Sequence, residues 1–246
     1  MPTRLIVVGA TGRLGSAIVR LGGENPAYAI AAALTRNVSA HAIAAAEGDV
    51  IVDVSHHAAM ETLAGLAVAT KKPLVVGTTG HSEEELSRIR SAAKEIPVVL
   101  APNFSVGVNL LFHLAKRTAE ILGADYDQEV IEMHHRNKLD APSGTAKRLA
   151  EVLCEVKGRS YAELVQDGRS GEPGKRTRDE IGMHALRGGD VVGDHTVVFA
   201  GIGERVELTH KASTRDTFAA GALRAATWTL GQKPGLYSMQ DVLGLK

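Results

Sequence analysis

The chain has 246 residues, 44% of them hydrophobic and 23% charged, a globular composition long enough for one large or two modest domains. Its 28 basic residues balance 28 acidic ones with no long like-charge block, which argues against nucleic acid or an anionic membrane as the main partner. The lone Cys154 cannot form an internal disulfide, no apolar run is long enough for a bilayer, and Met1 to Arg4 lead into a strand-like run rather than a cleavable signal, so a cytoplasmic location is the default expectation.

In chain order, the first hundred residues alternate short apolar runs with alanine-rich stretches of helical length. Leu5 to Val8, Ala29 to Leu34, Val50 to Val54, Pro73 to Val76 and Val98 to Leu100 are too short for helices and end at Gly, Asp, Thr or Pro. Arg13 to Leu21, Ala58 to Ala69 and Glu83 to Ala93 read as helices, the last with Ser82 as N-cap and acids at its start. Such alternation predicts an α/β fold, a Rossmann-type doubly wound parallel sheet with helices on both faces.

The first strand ends in Gly9, Ala10, Thr11, Gly12, Arg13, Leu14 and Gly15, a G-x-x-G-x-x-G loop that opens a helix. Gly9 permits the tight exit, Gly12 lets backbone amides approach a pyrophosphate, and Gly15 lets the helix pack closely, so dinucleotide binding is the expectation over a bland glycine turn. The second strand is followed by Thr35 and Arg36 rather than the acid that bonds a ribose 2′-hydroxyl, which tilts the cofactor from NADH towards NADPH. Arg36 also admits a reading as a solvated surface charge. Gly77, Thr78 and Thr79 after the fourth strand, and Ala101, Pro102, Asn103 and Phe104 after the fifth, should lie at the carboxyl edge beside the nicotinamide half, although both are also ordinary turn compositions.

Beyond Phe104 the pattern changes. Val108 to Leu122 reads as a helix ended by Gly123, and a strand beginning at Asp127 delivers His134 and His135 at its end. Pro142 to Thr145 form a turn before an amphipathic helix over Ala146 to Val156, so Ser143, Gly144 and Thr145 sit where helix N-terminal amides receive a carboxylate, or simply cap the helix. The histidine pair lacks H-E-x-x-H or Cys/His ligand spacing, so no metal is expected. A solvated histidine pair, and a surface ion pair between Lys138 and Asp140, are the plain alternatives to a proton donor beside a fixed positive charge.

The run from Glu132 to Ala146, E-x-H-H-x-x-K-x-D-x-P-S-G-T-A, resembles the signature of the 4-hydroxy-tetrahydrodipicolinate reductase (dihydrodipicolinate reductase) family. G-A-T-G-R-L-G at the start, G-T-T-G, P-N-F-S-V-G-V-N at 102 to 109, Gly193 to Thr196, Gly203 to Arg205 and Thr209 to Ser213 extend the resemblance over almost the whole chain. It implies a dinucleotide-binding domain over 1–104, an α+β substrate and tetramerisation domain with an open mixed sheet over 105–214, and a return to the first domain over 215–246. It also implies a homotetramer, a small-molecule dicarboxylate substrate, cofactor contacts at 77–79 and 101–104, and NADPH or NADH as reductant. On that resemblance His134 is the proton donor, Lys138 stabilises developing charge or assists protonation, and His135, Ser143, Gly144 and Thr145 hold carboxylate oxygens. A sugar-type oxidoreductase, suggested by Lys71-Lys72-Pro73, and a redox-sensing NAD-binding regulator are the rival readings. An acylating dehydrogenase would need an activated cysteine, and Cys154 falls inside a helix.

Overall fold

Every residue from Leu5 to Val8 is fully buried, on both faces of its strand, as only a central strand of a sheet covered on both sides can be. The computed structural model describes residues 1–35 and 40–245. Its elements begin with β1 (Thr3–Val8), α1 (Arg13–Glu24), β2 (Tyr28–Leu34), α2 (Ala40–Ala45), β3 (Val50–Asp53), α3 (Met60–Ala69), β4 (Leu74–Val76), α4 (Glu83–Ala92) and β5 (Pro97–Leu100). There follow α5 (Val106–Leu122), β6 (Asp127–His134), α6 (Gly144–Lys157), α7 (Tyr161–Leu164), β7 (Val165–Asp167), β8 (Ile181–Arg187), β9 (Gly193–Ala200) and β10 (Arg205–Ala212). The chain closes with α8 (Asp216–Thr229), β11 (Gly235–Tyr237) and α9 (Met239–Leu243).

Two units divide these elements: Met1–Val106 with Arg215–Lys246, and Gly107–Thr214. In the first, parallel strands run in the order β11-β5-β4-β3-β1-β2, the doubly wound arrangement expected. Alternate residues feed two cores. Leu5, Val7, Val50, Val52, Val75 and Val99 pack with Ile18 of α1 and Ala222 and Leu223 of α8. Ile6, Val8, Ile51, Leu74, Val76 and Val98 pack with Met60 and Leu63 of α3 and Ile89 of α4. Each such aliphatic burial contributes about 1.5–3 kcal/mol, which is why short β-branched runs suffice here as strands. The strand order reverses at β1, between β2 and β3, and ligands of open parallel sheets bind at the carboxyl end of such a switch.

The second unit is an open mixed sheet in the order β10-β9-β6-β8-β7, with β6 parallel to β8 and antiparallel to β9. The period-two burial of β6 and β9 turns Val130, Val197 and Phe199 onto a core shared with Leu111 and Phe112 of α5 and Leu149 and Leu153 of α6. On that same buried face lie Glu132, His134 and His195. The helix expected from Ala146 starts at Gly144 instead, because Ser143 takes the cap and its hydroxyl accepts the Ala146 amide at 3.2 Å. Unforeseen elements include α2, α7, β7, β8, β11 and α9, all short or, for β8, lacking a clean alternation.

Candidate functional site

In the first unit the loop between β1 and α1 is shaped by what its glycines exclude. Gly9 has φ +87°, and a Cβ there would come within 2.7 Å of Ser55 Cα and Val54 O. A Cβ on Gly15 would lie 2.1 Å from Gly9 O, so backbone packs on backbone at that point. Gly9 and Ala10 donate their amides to Leu34 O at 2.9 and 3.0 Å, and Gly12 donates to Gly9 O at 3.0 Å. Gly12 is the N-cap of α1 and supplies no side chain to its first amides. Those amides and the positive end of the helix dipole are groups able to receive an anion such as a pyrophosphate. A cavity of about 740 Å³ opens along Gly9, Thr11, Gly12, Thr35, Ser55 and His56.

The ends of β3 and β4 are tied together by a carboxylate that in the sequence is only a polar residue within an apolar run. Asp53, fully buried, accepts the Ser55 amide at 3.1 Å and the Ser55 hydroxyl on Oδ1, and the Thr78 hydroxyl at 2.8 Å on Oδ2. Burial pushes its pKa above the ordinary aspartate value, against the pull of those hydrogen bonds. Thr78 is thereby fixed in the loop with Gly77, whose amide donates to Asp53 O at 2.8 Å. Phe104 is 2% exposed, and its ring fills the space a Gly77 Cβ would occupy, at 2.6 Å. Phe104 and Ala101 belong to the core, so only their backbone is available to a ligand, whereas Pro102 and Thr79 are exposed. Arg36, on which the expectation of NADPH rests, lies outside the described residues.

The second unit carries a different kind of site. His134 ends β6 with its side chain 11% exposed, and its Nδ1 meets Glu132 Oε2 at 2.6 Å. Glu132 also accepts two nitrogens of Arg187 from β8, each at 2.9 Å, and the Ser143 amide at 3.0 Å. Ser143 is 2% exposed and its hydroxyl meets His195 Nε2 at 3.1 Å, so its side chain serves the cap and the interior while Gly144 stands exposed. The His195 ring lies edge-on to His134 at 5.1 Å. A Cβ on Gly193 would approach His134 Nε2 to 3.0 Å, so that glycine leaves room for the ring.

These surroundings set the charges. Burial disfavours ionisation of Glu132, but Arg187, His134 and the Ser143 amide outweigh it and hold its pKa below the ordinary glutamate value. Burial pushes His134 below the usual histidine value, with Glu132 pulling it back up and Lys138 and Arg187 opposing. His195, more deeply desolvated and beside His134, is pushed down to about 3 and is neutral at physiological pH.

The turn after β6 brings the remaining candidates to the same end of the sheet. His135 donates its amide to Val191 O at 2.7 Å, and its Nδ1 is buried with no hydrogen-bond partner among the described residues. Lys138 donates its amide to His135 O at 3.1 Å, and its Nζ reaches Asp140 at 2.8 and 2.9 Å. His134, His135, Lys138, Ser143, Gly144 and Thr145 are thus gathered in the second unit, and the glycine loop and the 77–79 and 101–104 segments in the first. No role for Glu132, Arg187, His195 or Asp53 is legible in the sequence. The glutamate stood inside a recognised motif, but Arg187 is 55 positions away and nothing local announces it. Among the described residues no group of three or more His, Cys, Asp or Glu is arranged around a metal, and no helix is long and apolar enough to cross a membrane.

Comparison with known proteins adds family matches on both units. The family described as "Dihydrodipicolinate reductase, N-terminus" matches residues 3–104, and "Dihydrodipicolinate reductase, C-terminus" matches residues 107–243. A 4-hydroxy-tetrahydrodipicolinate reductase of Akkermansia muciniphila is 55% identical over 98% of both chains. One from Hahella chejuensis is 46% identical over 99% of this chain and all of its own. Among solved structures, a dipicolinate-bound dihydrodipicolinate reductase from Paenisporosarcina sp. TG-14 has the same fold, with a TM-score of 0.78 over 98% of this chain and 99% of that one, at 23% identity.

Proposed function

The chain belongs to the dihydrodipicolinate reductase family and is an oxidoreductase, and from that premise we propose that it reduces 4-hydroxy-tetrahydrodipicolinate, through its dehydrated form, to tetrahydrodipicolinate in diaminopimelate and lysine biosynthesis. The first unit fits a pyridine nucleotide. Glycines stand where a Cβ would meet backbone, and the amides opening α1 receive nothing from their cap side chain. When bound, the reduced cofactor supplies a hydride to the substrate ring carbon. NADPH is the preferred form, since Thr35 offers no carboxylate to a ribose 2′-hydroxyl and Arg36 follows it in sequence.

The observation that carries the reading is a histidine held in a buried network, His134, at the end of β6, from which the chain turns to Lys138 and then to the exposed start of α6. His134 as imidazolium gives its proton to the ring carbon next to the one reduced. Lys138 supplies positive charge for the anion that forms, and Asp140 steadies its ammonium. His135, Gly144 and Thr145 receive the carboxylates, while Ser143 holds the helix end in shape. The protein acts as a cytoplasmic homotetramer, and the open edge of β10, with Val206 exposed, is the surface suited to assembly.

Following NADPH oxidation with enzymatically generated 4-hydroxy-tetrahydrodipicolinate tests the reading. His134→Gln is expected to lower kcat by about 10²–10⁴-fold with NADPH binding intact, and a kcat near wild type would remove the acid assignment. Lys138→Ala with an unchanged kcat/KM would remove the charge assignment.

A further inference from the structure

Glu132 is wholly buried, and no step above uses it. Both of its oxygens are saturated with donors from three separate elements: His134 on its own strand, Arg187 on β8 and the amide that opens α6. Arg187 is itself fastened to the carbonyls of Leu186 and Asp140 at 2.6 and 2.7 Å, so the carboxylate cannot swing. An ionised carboxylate with no proton of its own only accepts. The 2.6 Å contact therefore makes Nδ1 of His134 the donor and leaves Nε2 as the nitrogen that gains and loses a proton.

We propose that Glu132 is the positioning residue of the proton donor: it selects the Nδ1–H tautomer of His134, supports its imidazolium inside the fold, and ties the ring to the carboxylate-receiving start of α6 through the Ser143 amide. This rests on the acid reading of His134. In the step it serves, the Nε2–H bond breaks with its electron pair kept by the imidazole. The pair of the enamine-type anion forms the new C–H bond, and the ring is left as an uncharged cyclic imine that still carries its two carboxylates. Glu132 holds the Nδ1 proton throughout, and solvent returns the Nε2 proton afterwards. The groups facing His134 make this support necessary: Lys138 from the turn, Arg187 from β8 and His195 from β9, with His210 of β10 paired beyond it, are cationic or neutral. Among the described residues that act on the ring, Glu132 supplies the charge that favours imidazolium.

The first test uses the unaltered protein. Long-range ¹H–¹⁵N correlations of ¹⁵N-histidine-labelled enzyme, assigned with His134→Gln, should show neutral His134 as the Nδ1–H tautomer, and the Nε2–H tautomer would overturn the proposal. The second uses Glu132→Gln, which keeps size and removes charge. Its kcat should fall about 10²-fold and the alkaline limb of the kcat–pH profile should move to lower pH, while dipicolinate affinity stays within about threefold. Glu132→Asp should return the limb towards wild type, which a purely architectural role does not predict. An unchanged rate and limb in Glu132→Gln would sink the proposal. If that variant no longer binds dipicolinate, the tautomer measurement decides. His134→Gln separates the two claims: full activity there removes the acid reading, whereas a loss there beside an unaffected Glu132→Gln removes only the role of Glu132.

Discussion

The two units build their sites from opposite materials. Around the β1–α1 loop of the first, the groups the proposed site would use are backbone amides, and glycines at 9 and 15 matter for atoms they lack. At the end of β6 in the second, the groups the proposed site would use are buried side chains, and Glu132, His134, Arg187 and His195 matter for charges and protons they carry. The first site is thus vulnerable to atoms added, the second to atoms or charges removed. A substitution as mild as Gly→Ala is severe in one, and one as mild as Ser→Ala is felt in the other.

The sharpest way to break this contrast is Gly15→Ala. Its Cβ would meet Gly9 O at 2.1 Å and Gly9 C at 2.8 Å, both backbone atoms that can move only by opening the loop. Overpacking of this kind costs about 1–3 kcal/mol or more, so NADPH affinity by fluorescence titration should weaken by about 10–100-fold, and wild-type affinity would refute the steric account. Ser143→Ala comes next. Removing the cap of α6 and the partner of His195 Nε2 should cost about 1–2 kcal/mol, read as a lower denaturation midpoint with cofactor affinity unchanged.

Acid should expose the charged unit more gradually. His195 has a folded pKa of about 3 against an ordinary 6.5, so the unfolded chain takes up a proton that the fold refuses. The stability it contributes is present above pH 6.5 and is lost as pH falls from there towards about 3. His195→Asn should flatten the stability–pH curve across that window, and an unaltered slope would count against a neutral buried ring. The smallest effect is expected at Asp53. Its folded pKa is raised above the ordinary 3.8, so it favours the fold below that value and loses this contribution as pH rises through the folded value. Asp53→Asn should change stability by less than about 1 kcal/mol, drifting in the variant's favour with rising pH, because the lost acceptor for Thr78 is offset by a charge no longer buried. Urea titrations at a series of pH values check both.

Much of the first unit was legible because its strands are read one residue at a time: Leu5 to Val8 and Val50 to Val52 are apolar on both faces, and glycines mark where the chain turns. The capping box of α4, Ser82 with Glu85, was legible in part through Ser82 for the same local reason. In the second unit the histidines, the lysine and the helix start could be found as a motif, yet their supports could not. Strand β8 hides because Gly182 sits under the Glu129 carboxylate, where a Cβ would come within 1.6 Å of Oε2, so the residue that weakens the strand signal is there for a partner on another strand. Asp53 looked like the polar end of an apolar run, and only the fold brings Thr78 to it, 25 positions on.

The first unit's interruption has a consequence for the order in which the molecule is made. Strand β11 completes the sheet by pairing with β5, and Ala222, Leu223, Met239 and Val242 close one of its two cores. All of them follow Thr214, where the second unit ends. During synthesis the unit that begins later therefore has all of its residues first, while the one that begins the chain waits with an open edge and an uncovered apolar face until its last segment emerges. Truncation after Thr214 should leave a foldable second unit beside a first unit prone to aggregate, so damage to residues 215–246 falls on the unit that residues 1–106 began.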